Sequence, residues 1–240
     1  MIEKKIHYCW FGGKKLPEEA IKCIESWKKY CPDFEIIEWN EKNFDISENM
    51  YVLEAYKAHK WAFITDYVRL KVLFDYGGIY MDTDVEVKKP LDQFLGNKGF
   101  SGFEDEKFAI TAIMGCEKGN LIIGDLLNYY NGRHFVMPDG TYDMTTNVVT
   151  ITNYFVSKGL LLNNKLQDIE GFVLYPKDFF CPKDHATGKI KCTKNTYTIH
   201  HFAGSWHTPS QKAKALIKKI IGSTLTEKVI KIKHCIKRGK

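Results

Sequence analysis

Residues 61–87, WAFITDYVRLKVLFDYGGIYMDTDVEV, restrict the fold more than any other stretch of the chain. Residues 62–76 carry a helical pattern with Val68, Val72 and Leu73 on one apolar side. Gly77-Gly78 ends that helix and turns the chain into the short apolar run Ile79-Tyr80-Met81. Two aspartates follow, one residue apart. Asp82-Thr83-Asp84 is expected to be extended, with Val85 and Val87 continuing the run, so alternation points both carboxylates to one face, together with Tyr80. Acids at the carboxyl end of a buried strand sit where open α/β sheets place their ligands. Two convergent carboxylates there can hold a hard divalent cation and, through it, a diphosphate. A DTD triplet alone is equally at home on a solvated strand end, so the context carries the reading.

Asp66 and Arg69 lie at i and i+3 on the helix and share a face. On a surface such a pair stabilises little. Phe63, Ile64, Val68, Leu70 and Val72 surround it, which predicts partial burial. A buried pair serves either as a structural clasp or as a grip on a polar ligand, and both readings stand. The expectation is that this pair and the two aspartates meet in one pocket.

The rest of the chain supplies an α/β frame. Residues 4–11 read as a strand stopped by Gly12-Gly13, residues 17–27 as a helix with Ala20, Ile21, Ile24 and Trp27 on one stripe, and residues 34–39 as a second strand. This βαβ-like opening suits a nucleotide-binding fold. No GxGxxG follows the first strand, so it is not a dinucleotide fingerprint. Trp10, at that strand's end, is suited to stack on a base or to fill the core. Further helices are expected over 51–57, 121–130 and 146–157, and further strands over 99–103, 109–114, 173–175 and 197–201. His200 and His201 point to opposite faces if extended, so only one can join a metal site begun by carboxylates.

Charge separates the body from the C-terminus. Residues 211–240 carry ten Lys/Arg and one Glu, whereas the other 210 carry 25 basic and 28 acidic residues. A near-neutral body argues against nucleic acid as a partner. Two units are therefore expected: a domain over 1–209 and a basic amphipathic helical tail over 210–240. Leu216, Ile217, Ile220, Ile221, Leu225, Val229, Ile232 and Ile236 alternate with lysines in that tail. The pattern suits an anionic membrane surface better than a merely solvated helix. No 18-residue apolar run and no N-terminal h-region are present, so a cytoplasmic protein, peripheral on the inner face of the cell membrane, is expected. Seven cysteines without regular spacing point to reduced thiols. Cys181, His185 and Cys192 make half a zinc pattern that nothing completes.

Three separated motifs, IHYCWFGG (6–13), WAFITDYVRLKVLFDYGGIYMDTDV (61–85) and IHHFAGSW (199–206), resemble glycosyltransferase family 32, the DXD-motif sugar-binding glycosyltransferases. That family includes fungal initiating α-1,6-mannosyltransferases, bacterial capsule and lipopolysaccharide enzymes and, more distantly, large clostridial glucosylating toxins. The resemblance implies a GT-A fold, a Rossmann-like and mostly parallel sheet flanked by helices. It implies a retaining, Mn²⁺- or Mg²⁺-dependent transfer from a nucleotide-sugar donor to a glycan or lipid-linked glycan acceptor, in surface polysaccharide biosynthesis. A UDP-sugar is the favoured donor and GDP-mannose the other candidate. By the same resemblance Trp10 stacks on the base, Asp66 and Arg69 bind the donor sugar, and Tyr80 lies against the nucleotide. Asp82 and Asp84 are the DXD acids, His201 is a late metal ligand, Ser205 and Trp206 lie near the diphosphate, and Asn147 sits beside the sugar. Asp66, Arg69, Asp82 and Asp84 are the expected catalytic set. A non-catalytic nucleotide- or glycan-binding module docked by its tail is the alternative. A metal-dependent phosphohydrolase is a weaker rival, because it calls for more acidic and histidine ligands.

Overall fold

The computed structural model describes residues 1–109 and 112–204. Nine strands and six α-helices form over these residues. In chain order they are β1 (Lys5–Cys9), α1 (Glu18–Tyr30), β2 (Glu35–Trp39), α2 (Met50–Lys57), α3 (Trp61–Tyr76), β3 (Gly78–Met81), β4 (Val85–Val87), β5 (Gly99–Gly102) and β6 (Ile113–Cys116). Then follow α4 (Leu121–Asn128), α5 (Asn147–Ser157), β7 (Gln167–Ile169), β8 (Phe172–Tyr175), α6 (Lys177–Phe180) and β9 (Thr198–His200). Seven strands make one sheet in the order β2-β1-β3-β6-β5-β8-β7. The pairings β1·β2, β1·β3 and β5·β8 are parallel, and β3·β6, β5·β6 and β7·β8 are antiparallel. Hence β2, β1, β3, β5 and β8 run one way and β6 and β7 run against them. This is the expected mostly parallel sheet, in mixed form.

Alternation along the strands divides the core between the two faces. Ile6, Tyr8, Ile79 and Met81 face α1 through Ile24 and Trp27, together with Phe94, Phe100 and Phe180. Cys9, Tyr80, Met114 and Leu174 face the other way, against residues of α2, α3, α4 and α5. His7 also lies within the sheet, fully buried. Its Nδ1 accepts from Trp39 Nε1 at 3.1 Å, so the neutral ring must donate from Nε2, which meets the Gly77 carbonyl at 2.8 Å.

The junction that aims the site is Gly77-Gly78. Gly77 holds φ +65°, and a Cβ there would stand 2.7 Å from the Lys118 backbone nitrogen. Gly78 holds φ +97°, with a Cβ position 2.9 Å from the Lys5 carbonyl oxygen. Only glycine permits both the left-handed backbone and these approaches. The α3 helix can therefore turn back at once into β3, in the middle of the sheet.

One expectation fails locally. Asp82-Thr83-Asp84 is a turn, not a continuation of the strand, closed by Val85 N–H donating to the Asp82 carbonyl at 3.0 Å. After it, β4 leaves the main sheet and pairs antiparallel with β9, with Val85 opposite His200 and Val87 opposite Thr198. The basic tail lies outside the described residues.

Candidate active site

The acids of α3 and of the turn after β3 meet. Arg69 Nη2 lies 3.3 Å from Asp66 Oδ1 and 3.3 Å from Asp82 Oδ1, so one guanidinium bridges the two clusters. Arg69 is also tied to its own helix, donating from Nε to the Thr65 carbonyl at 3.1 Å. Its guanidinium sits 4.6 Å from the centroid of the Tyr80 ring, and Tyr80 Oη donates to Asp82 Oδ1 at 2.8 Å. Burial pushes the Asp66 carboxyl up to about 6, with Arg69 pulling against that shift. Burial alone lowers Arg69, but Asp82, then Tyr80 and Asp66, more than offset it and hold the guanidinium above its ordinary value.

Asp82 and Asp84 share a second cluster with His200, whose ligand-capable atoms all lie within 4.8 Å of one another. His200 Nε2 stands 3.5 Å from Asp84 Oδ1. Burial works against charge on His200, yet Asp84 and then Cys181 together outweigh it and lift the ring to about 10. Burial raises Asp84 but is overcome by His200 and by the Ala203 amide, which donates to Oδ2 at 2.8 Å. The Asp82 carboxyl is raised by burial; Arg69 opposes that shift and the neighbouring Asp84 charge adds to it. Two acids that repel across a turn fit a divalent cation by donor type and by spacing, and the His200 imidazole beside them joins as a donor once the cation displaces its proton. The buried Nδ1 of His200 has no hydrogen-bond partner. Among the described residues this is the one cluster of such groups, and Cys181, His185 and Cys192 do not form another.

The late histidine is displaced by one residue from the expectation. His201 Nε2 meets Glu86 Oε2 at 3.0 Å, and both side chains line a hollow of about 450 Å³ against α1, with Glu18, Glu19, Lys22 and Cys23. Alternation along β9 sends its neighbour His200 to the acids instead. Tyr80 also departs from its expected place. It is 1% exposed and lies beneath Arg69 and Asp82 rather than open to a nucleotide. Asn147 lies against Asp66, its backbone amide donating to Asp66 Oδ2 at 3.1 Å. Trp10 is half-buried, with its indole donating to the Lys14 carbonyl at 2.5 Å. The parallel register of β1 and β3 pairs His7 with Tyr80, so the two strands end at one edge of the sheet, β1 leading into Trp10 and β3 into Asp82. Ser205 and Trp206 lie outside the described residues.

One acid escaped the sequence reading. Glu104, just past the end of β5, carries a carboxyl raised by burial, with His200 opposing and Asp105 and Asp82 adding to the shift. Nothing in the sequence marks it, because it sits in an irregular loop that only the sheet order brings to this edge.

The family described as "Glycosyltransferase sugar-binding region containing DXD motif" matches residues 17–101. The uncharacterized glycosyltransferase L373 of Acanthamoeba polyphaga mimivirus is 33% identical over 218 residues, which are 86% of this chain and 84% of that protein. The chain belongs to the DXD-motif sugar-binding glycosyltransferase family, as its three motifs suggested. Inositol phosphoceramide mannosyltransferase 1 of Schizosaccharomyces pombe is 29% identical over 126 residues, 46% of this chain and 39% of that protein. Subversion of eukaryotic traffic protein A of Legionella pneumophila is 26% identical over 158 residues, 52% of this chain and 24% of that protein. The chain thus spans well under half the length of these two relatives. Among solved structures, PaToxG glycosyltransferase matches with a TM-score of 0.49 at 19% identity, over 66% of this chain and 70% of that one.

Proposed function

We propose that this chain transfers a sugar from a nucleotide-sugar donor to a glycan or lipid-linked glycan acceptor, with a divalent cation, Mn²⁺ or Mg²⁺, and with retention of anomeric configuration. The observation that carries the reading is the bridge formed by Arg69 between Asp66 and Asp82. It joins the buried Asp66 carboxylate to a cation-type cluster, so a group held by Asp66 and a group held through the cation lie side by side. Asp82, Asp84 and His200 would hold the cation. The chemistry such an ion supplies is neutralisation of the charge that develops on the departing diphosphate.

The protein groups divide the remaining work. Asp66 accepts hydrogen bonds from sugar hydroxyls, and Arg69, fixed by Thr65, Asp66 and Asp82, keeps that carboxylate oriented. Tyr80 supports Arg69 and Asp82 from below. Trp10, at the same sheet edge, offers an indole face to the base. A UDP-sugar is the favoured donor. GDP-mannose is the other, since the similar Schizosaccharomyces pombe protein is named as a mannosyltransferase. Surface polysaccharide is the proposed destination. Residues 1–209 form the catalytic unit, and the basic stretch 210–240 is proposed to rest on an anionic membrane surface on the cytoplasmic side. Among the described residues no helix is long and apolar enough to cross a membrane.

A panel of UDP- and GDP-sugars, followed for released nucleotide with and without Mn²⁺, tests the activity. Mn²⁺-dependent release from at least one donor is expected. Equal release without metal, or release from none, contradicts the proposal.

A further inference from the structure

Asp66 is gripped from a second side that the donor reading does not use. The Asn147 amide that donates to its carboxylate is the first residue of α5. The N-cap residue of that helix, Thr146, makes no side-chain cap bond, so a carboxylate from α3 does the capping. The Asn147 side chain adds a second tie. Its Nδ2 donates to the Asp66 carbonyl at 2.7 Å, and its Oδ1 meets Tyr130 Oη at 3.1 Å. The direction of these bonds is forced. A carbonyl only accepts, so Nδ2 must face Asp66, Oδ1 must face Tyr130, and Tyr130 must donate. Asp66, Asn147 and Tyr130 are 8%, 2% and 2% exposed, so the network is almost wholly buried.

Tyr130 is itself immobilised. The Arg133 guanidinium lies 5.1 Å from its ring centroid, and 4.7 Å and 4.5 Å from those of Tyr51 and Tyr129. Arg133 is pinned by Asp143, which accepts from Nε at 2.9 Å and Nη2 at 2.7 Å. The segment between them is fastened to α2 by Glu54, which takes the Phe135 and Val136 amides at 2.7 and 2.9 Å.

We propose that Tyr130 is a positioning residue for the sugar half of the donor site, its hydroxyl fixing the Asp66 carboxylate through Asn147. The inference rests on Asp66 as a sugar-binding group. A carboxylate discriminates among hydroxyls only if its oxygens are held in direction. Arg69 fixes one oxygen, and the α5 amide fixes the other only while Asn147 stays in place. Without the phenolic hydroxyl, Oδ1 loses its donor and the first turn of α5 is free to shift against α3. The nucleotide, held by the Asp82–Asp84–His200 end, is not affected.

The test separates sugar from nucleotide. Affinities of the full chain for UDP and UDP-glucose, and for GDP and GDP-mannose, are measured by calorimetry with Mn²⁺, and the ratio of sugar-nucleotide to nucleotide affinity is compared between variants. Tyr130→Phe is expected to lower that ratio about fivefold, with nucleotide affinity nearly unchanged. Ile151→Val loosens the same helix but leaves the network whole, and keeps the ratio of the wild type. Asn147→Ala lowers the ratio as well, and the double variant with Tyr130→Phe falls no further, as links in one chain require. An unchanged ratio in Tyr130→Phe, or additive losses in the double variant, overturns the proposal while nucleotide binding still supports the donor site. A wild-type protein that binds none of the four nucleotides overturns both.

Discussion

At the scale of single residues, His200 and His201 show what one step along a strand decides. Both are imidazoles beside a carboxylate, at 3.5 Å from Asp84 and 3.0 Å from Glu86. Only the first shares its carboxylate with a second acid. The account therefore expects His200→Ala to weaken Mn²⁺ binding in the presence of nucleotide at least about tenfold. His201→Ala is expected to change it by less than about twofold. Manganese titration followed by electron paramagnetic resonance reads both, and equal losses would count against the assignment. That the two rings diverge was legible in the sequence, because it follows from strand alternation. Which ring faces the acids was not. The register of β9 on β4 sets it, with Val85 opposite His200, and no residue of β9 encodes that alone. Asp66 and Arg69 were the more legible pair, since a helix fixes i and i+3 on one face whatever surrounds it.

At the scale of elements, α3 and β3 were readable from their own residues, and the turn between them from its two glycines. The DTD segment has the local pattern of an extended run but is a turn, because β4 is drawn out of the main sheet by a strand from far along the chain. β1 carries a consequence for stability. The His7 ring is held neutral, lowered to about 4 chiefly by burial. Its Nδ1 is filled by the Trp39 N–H, so a second proton there would face a donor. In the unfolded chain the same ring titrates near the ordinary histidine value of about 6.5. As pH falls below that value the unfolded state takes up the proton first. The contribution is thus present above about pH 6.5 and is lost progressively toward pH 4. Between pH 7.5 and 5, the wild type is expected to lose about 2 kcal/mol more unfolding free energy than His7→Gln, measured by urea denaturation. Parallel losses in the two proteins would show that His7 is not the group responsible.

At the scale of the whole molecule, the site exists because five of seven strands share a direction. The carboxyl ends of β1, β3 and β5 bring Trp10, Asp82 and Glu104 to one edge, and α3 and α5 close it with Arg69, Asp66 and Asn147. The sequence announced an α/β sheet through its βαβ opening. It did not announce the order, in which β6 slips between β3 and β5, because strand order is set by packing across the sheet and not by local pattern. Charge is partitioned on the same scale, with a near-neutral body and a basic stretch at 211–240. The intact protein is expected to sediment with phosphatidylserine vesicles but not with phosphatidylcholine vesicles. Replacing Lys218 and Lys219 by Glu should weaken that binding severalfold. Equal binding to both lipids would remove the membrane from the account.

The central claim is that Asp82, Asp84 and His200 hold the cation through which a nucleotide diphosphate binds. Calorimetric titration of UDP and GDP into the wild type and Asp84→Ala, each with and without Mn²⁺, tests it most directly. The account predicts binding to the wild type that depends on Mn²⁺, and a loss of at least about a hundredfold in Asp84→Ala at an unchanged melting temperature. Nucleotide binding of equal strength without metal, or undiminished in Asp84→Ala, would contradict it.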